Sequence, residues 1–328
     1  MTYPIDLDVL PAGFARFSGK PVFDAAKHLA LEPPEVIYDL ADLGYSAEDI
    51  AACPASFGAS SVFRVLSDEG VACLYETVKR LEAFEKSNAR IQRCVRGGVY
   101  RSKFLQDLCL SQDVVEFMSE IAGLELMPHT IPHQLGHLNY APKEVGEDVD
   151  KWQADTLRFD YVMFVTDPTK NEGGAFQYFK GTKAEIAALK AAGKPVPADK
   201  IVAPAMPGAG YAVLQQGNMV VHQAKGLTAV GERVTMVNGY VTADTRFPDY
   251  SRFDQLALID PPDVVSAEYA RHIAFQGQRI MDAQLADTSF GANNGAYVAE
   301  FRKLLAMLAD AAQQISCAGE GEVEHFGD

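Results

Sequence analysis

Between about residues 133 and 243 the chain breaks into short runs rich in Val, Tyr, Phe and Thr. They read "HQLGHLNYAP", "LRFDYVMFVTDP", "GGAFQYFKG", "KIVAPAM", "GYAVLQQGNMVVHQ" and "RVTMVNGYVTAD". Such residues fit a pleated, half-buried surface, and the Gly, Pro, Asn and Asp between the runs supply turns. Parallel strands need a crossover of a dozen or more residues, usually a helix, and most of these runs leave no room for one. The pattern therefore predicts antiparallel strands in a sandwich or barrel, not a doubly wound sheet. One helix interrupts them. Thr182 and Glu185 in "TKAE" predict a capping box ahead of "IAALKAAG", a surface decoration or a lid.

Helical spacing takes over on either side. In residues 67 to 87, Val71, Leu74, Val78 and Leu81 recur on one face behind an acidic first turn. Shorter helices are expected over 102 to 109 and 112 to 122. Near the other end, Val298, Phe301, Leu305, Leu308, Ala312 and Ile315 form one stripe, read as packing against the sheet, with a homodimer contact as its alternative use. No repeat or low-complexity linker divides the chain. The expectation is a mainly β single domain over 1–328: a helical part over about 1–125, a β core over about 126–245 and a second helical part over about 260–317.

Composition narrows the partners. Hydrophobic residues at 48% and charged ones at 22% are ordinary for a globular protein, and a net charge of −15 speaks against nucleic acid or an anionic membrane. The start, "MTYPIDLDVLPAGF", has neither a basic region nor an apolar stretch, so no signal peptide is expected. Five cysteines without CxxC spacing read as reduced thiols of a cytoplasmic protein.

Several apparent motifs fail on context. "GAGYAVLQQG" runs into a strand and not a helix, which removes a dinucleotide reading. His129, His133 and His137 are spaced four apart, but Pro128 and Pro132 break the helix that would align them on a metal, so they read as structural or supporting. Neither a GxSxG elbow nor a Walker loop occurs. Arg93, Arg96, Arg101 and Lys103 cluster in "RCVRGGVYRSK", a solvated face or an anion contact.

What remains is an ordered set. Gln153 and Asp155, two apart in "DKWQADTLRFDYVMFVTDP", project to one side if the segment is extended. His222 ends a later apolar run, and Arg233 follows eleven residues on. In this order and spacing the chain resembles the Fe(II)- and 2-oxoglutarate-dependent oxygenases, in their phytanoyl-CoA dioxygenase-like branch. That branch carries a Trp-His-x-Asp block, a Gly-Gly-x-hydrophobic stretch, a distal His and an Arg about eleven residues beyond. Here the blocks are "KWQADT", "GGAFQYFKGT", "GNMVVHQ" and "GERVTMVNGYV", across roughly residues 90 to 245.

The resemblance implies a double-stranded β-helix, or jelly-roll. It makes Asp155 and His222 metal ligands, with Gln153 in the place of the first His. It gives Arg233 the distal carboxylate of 2-oxoglutarate, and Asn139 is either a polar contact to it or a turn residue. Arg158 and Tyr161, flanking the strand after Asp155, are expected with His137 to line the substrate cavity. The implied activity is hydroxylation of a small molecule, with succinate and CO2 released. Retention of Asp155 argues against halogenation, which needs that position open for chloride. For Gln153 three accounts stay open: coordination through the amide oxygen, a replacement that silences the site, or His137 standing in. The rival functions are a non-catalytic jelly-roll that binds a metabolite and a cupin-like enzyme using another metal.

Overall fold

The computed structural model describes residues 3–88, 90–244, 246–247, 249–286, 294–317 and 326. Eight strands form the core: β1 (His137–Tyr140), β2 (Asp150–Gln153), β3 (Phe159–Phe164), β4 (Phe176–Phe179), β5 (Ile201–Val202), β6 (Tyr211–Gln215), β7 (His222–Ala224) and β8 (Val234–Thr242). The larger sheet runs β6-β3-β8-β1 and the smaller β5-β4-β7-β2, all antiparallel. Except between β4 and β5, each step along the chain changes sheet, which is the winding of a double-stranded β-helix. Shorter strands from the first part of the chain extend the larger sheet to ten.

Strand alternation explains what each face buries. In β3, Phe159, Tyr161 and Met163 join the large cluster beneath the N-terminal helices, while Val162 and Phe164 point between the sheets. That outer face is covered by helices Asp68–Leu81, Lys103–Cys109 and Gln112–Ala122, close to the expected spans. Ser67 caps the first by accepting from the Gly70 N–H, and Leu74, Val78 and Leu81 lie fully buried beneath it. The interrupting helix is Lys183–Ala191, with Thr182 as its cap. The reciprocal half of the capping box gives way to an ion pair, Glu185 with Lys200.

The C-terminal stripe is a correction. In helix Asn294–Ser316, Val298, Phe301, Leu305 and Leu308 are exposed. The N-terminal helices already occupy the sheet's outer face, so this helix packs on Pro262–Ala286 instead, with Leu304 and Met307 beside Gly277. Only Ala311 and Ile315 reach the small cluster of Ile131, Phe253, Leu256, Val265 and Tyr269. Among the described residues no helix is long and apolar enough to cross a membrane.

Polar contacts fasten the second helical part to the core. Glu268 is buried, accepts from the Tyr100 hydroxyl at 2.8 Å and pairs with His133 Nδ1 at 2.7 Å. His272 bridges Thr130 at 2.7 Å and Asp249 at 3.1 Å. His129 bonds Ser251 at 3.0 Å, so two of the three spaced histidines are structural. Removing one partner of a buried pair leaves the other uncompensated, at about 3–5 kcal/mol. Glu268→Ala is expected to destabilise the protein by about that much in urea unfolding; a change under about 0.5 kcal/mol, typical of a surface site, would show the pair to be dispensable.

Candidate functional site

The smaller sheet places the first residues. β2 pairs with β7 so that Gln153 lies opposite His222. Past β2 the chain turns to cross between the sheets, and the Asp155 N–H donates to the Gly217 carbonyl at 2.9 Å. This brings Asp155 Oδ2 within 3.3 Å of His222 Nε2, while Gln153 Nε2 lies 3.4 Å from the same nitrogen. His222 Nδ1 is 3.0 Å from the Val220 carbonyl. Donation there orients the ring and turns Nε2 toward Asp155 and Gln153. The Gln153 Oε1 atom is buried and has no hydrogen-bond partner.

The larger sheet supplies the opposite wall. A cavity of about 100 Å³ between the sheets is lined by Gln153, Asp155, His222, His137, Asn139 and Arg233, among others. Six of the eight residues singled out in the sequence therefore meet. Arg233, only 2% exposed, donates from Nε to the Gly174 carbonyl at 2.7 Å and lies 5.1 Å over the Phe164 ring. Its Nη2 has no partner, and among the described residues no carboxylate pairs with it. Burial pushes its pKa down to about 10. The Gly-Gly block earns its place here: Gly174 has φ +73°, and a Cβ on it would come within 3.1 Å of Arg233 Cδ.

His137 Nδ1 lies 3.3 Å from Arg96 Nη1, and Arg96 in turn pairs with Asp260 at 2.8 Å. Burial first, then the Arg96 charge, hold His137 well below its ordinary pKa, so it faces the cavity as a neutral ring. Asn139 Nδ2 is 3.4 Å from His137 Nε2, and its Oδ1 is unpartnered.

Two expectations change. Tyr161 is fully buried in the core beside Tyr240, because strand parity turns it to the helix side and gives the cavity Val162. Arg158 is likewise buried and stacks 4.7 Å over Tyr250 instead of lining the small cavity. Of the basic cluster only Arg96 reaches the pocket. Arg93 pairs with Glu82 and Glu85, Lys103 with Asp107, and Arg101 lies over Phe14 and Phe84.

Four residues were missed. Arg90 binds Asp150 Oδ2 through Nε at 2.8 Å and Asp155 Oδ1 through Nη2 at 3.2 Å. Gln215 Nε2 donates to Asp160 Oδ1 at 3.0 Å, beside the His222 ring. Asp160 carries the one legible signal, a charge inside the apolar run "RFDYVMF". Burial, then the Asp155 charge, push its pKa up to about 8. Burial would also raise Asp155, but His222 and Arg90 outweigh it and hold that carboxyl well below the usual range. His222 would be lowered by burial, yet Asp155 drives it up to about 9. Among the described residues no group of three His, Cys, Asp or Glu side chains is set to hold a metal, and the polar side chain beside Asp155 and His222 is the amide of Gln153.

A second cavity, about 970 Å³, lies under the C-terminal helices and shares Ala154, Asp155 and Thr156 with the first. Its wall includes Tyr250, Tyr269 and Met307.

Gly217 fixes the turn that carries Asp155. A Cβ there would sit 2.2 Å from Asp160 Oδ2, 3.1 Å from the Leu157 carbonyl and 3.3 Å from Asp155 Cβ. Gly217→Ala is expected to cost about 1–3 kcal/mol by overpacking, read as a lowered urea midpoint; unchanged stability would mean the turn has slack.

No family model matches the chain, and no curated protein matches it. Solved structures similar to it include the non-heme alpha ketoglutarate dependent carbocyclase SnoK from nogalamycin biosynthesis, at 18% identity over 62% of this chain and 87% of that one, TM-score 0.42. AviO1 from Streptomyces viridochromogenes Tue57 is similar at 15% identity over 65% and 98%, TM-score 0.44. EctD from S. alaskensis, with 2-oxoglutarate and 5-hydroxyectoine, is similar at 18% identity over 72% and 87%, TM-score 0.44.

Proposed function

We propose that this chain is an Fe(II)- and 2-oxoglutarate-dependent oxygenase that hydroxylates a small molecule, releasing succinate and CO2. The observation that carries this reading is Arg233. A buried guanidinium with an unmet N–H and no acid is costly unless an anion completes it. A dicarboxylate entering the small cavity would supply one carboxylate to Arg233 in a charge-assisted pair, with the Asn139 amide beside it.

The remaining residues fit a divalent ion at the cavity's other wall. Asp155 offers a carboxylate oxygen, His222 its Nε2 once the proton it shares with Asp155 is displaced, and Gln153 a buried amide oxygen with no donor. Iron bound by this set would supply activation of dioxygen, coupled to decarboxylation of the oxoacid. The chain's own part is to orient. Arg233 and Asn139 fix the oxoacid, the two sheets keep water out, and the larger cavity at Asp155 gives the second molecule its place. A second reading, a silent metabolite-binding jelly-roll, is favoured by Gln153 itself, since an amide oxygen is a weaker donor for Fe(II) than imidazole.

Two measurements test the reading. Arg233→Ala is expected to weaken 2-oxoglutarate binding in calorimetry by at least about a hundredfold, in line with the roughly 3–5 kcal/mol of a broken buried pair; unchanged binding removes Arg233 from the site. Gln153→His is expected to tighten iron binding by about tenfold or more and to raise succinate release under air. A slower His variant would assign Gln153 as the working ligand, and iron binding by neither form would leave the silent reading.

A further inference from the structure

Arg90 is a cation in this pocket that neither the motif order nor the oxoacid reading uses, and unlike Arg96 it holds Asp155 itself. It lies between Lys86 and Cys94, which exchange backbone hydrogen bonds of 2.9 and 3.0 Å in an isolated bridge. Asn88 Oδ1 accepts from the N–H groups of both Arg90 and Ile91 at 2.8 Å. The guanidinium is thereby delivered to two carboxylates that are themselves largely buried, Asp150 with its side chain 6% exposed and Asp155 with its side chain 14% exposed.

The two oxygens of Asp155 have different neighbours. Oδ1 faces Arg90, and Oδ2 faces His222. Arg90 thus settles which oxygen is turned toward the ring nitrogen, and at the same time it lays a positive charge on the carboxylate that would hold a metal. Removing one charge of a buried pair normally strands the other. Here the stranded carboxylates are what a divalent cation seeks.

We propose that Arg90 is a built-in competitor for the cation position, a positioning residue that compensates Asp150 and Asp155 and holds down the pocket's affinity for a divalent metal. This rests on the reading of Gln153, Asp155 and His222 as the metal donors. A metal approaching Asp155 meets a like charge already seated on the same group. Coordination therefore requires Arg90 to loosen its hold on Oδ1 or to share the carboxylate. With the neutral Gln153 as third donor, Arg90 is the guanidinium that bears directly on the carboxylate a metal would use.

The test is equilibrium binding of Mn(II) to the full chain under argon, followed by the loss of the free-ion paramagnetic resonance signal. Arg90→Gln is expected to bind Mn(II) at least about tenfold more tightly than the parent, and Arg90→Lys, which keeps the charge, to bind as the parent does. Asp150→Asn, which leaves the whole Arg90 charge to Asp155, is expected to bind more weakly; it also covers the case in which Arg90→Gln fails to fold. Equal or weaker binding by a folded Arg90→Gln overturns the proposal, as does tightening by Arg90→Lys to the same degree or by Asp150→Asn. Asp155→Asn separates the two ideas. If it abolishes Mn(II) binding while the Arg90 variants change nothing, the metal site stands and the competitor falls. If no form binds Mn(II), both fall.

Discussion

The pocket exists because β2 and β7 pair in one register, with Gln153 opposite His222. Side chains alternate across a sheet, so a one-residue slip would exchange every inward group for an outward one. On the outward side Trp152 and Val221 are buried with Phe179 and Ile186 under the interrupting helix. A slip would push an indole into the cavity and an amide into that apolar cluster. The Trp of the "KWQADT" block thus secures the register by which its neighbours become a site.

Given that register, the pocket is defined by how it treats three arginines. Arg96 is neutralised by Asp260, and Arg90 by Asp150 and Asp155. Arg233 has only a backbone carbonyl, a hydroxyl at 3.5 Å and an aromatic face. Buried charge is tolerated where it is compensated, so the demand for an external anion is concentrated at one guanidinium. The buried carboxylates divide likewise. Asp155 is held ionised by its cationic neighbours, whereas Asp160, with only Gln215 donating to it, is held toward its neutral form.

The jelly-roll was legible because its strands are short, aromatic and separated by turn residues, and that local signal survives in any tertiary context. Asp155 lies just past the end of one strand and Arg233 just before the start of another, as the apolar runs suggest. His222, read from the sequence as the end of a run, instead opens β7, because Gly217 and its neighbours turn the chain into the other sheet. Tyr161 departs from its expected place because strand alternation puts it with Phe159 and Met163 on the helix side of β3, while Val162 faces the cavity. The C-terminal stripe was misread because periodicity reports an apolar face without saying which neighbour is free to cover it. Arg90 was out of reach. Its contact with Asp155 spans 65 residues, and nothing local distinguishes it from the basic run beside it.

Ala154, Asp155 and Thr156 are shared by the two cavities, a three-residue partition with a compartment on each side. Any occupant that displaces this partition changes the room left to the other. Linkage then makes the effect mutual: the factor by which the small-cavity guest alters the affinity of the large-cavity guest is the factor returned. Were both cavities filled, these three residues are where one guest would bear on the other.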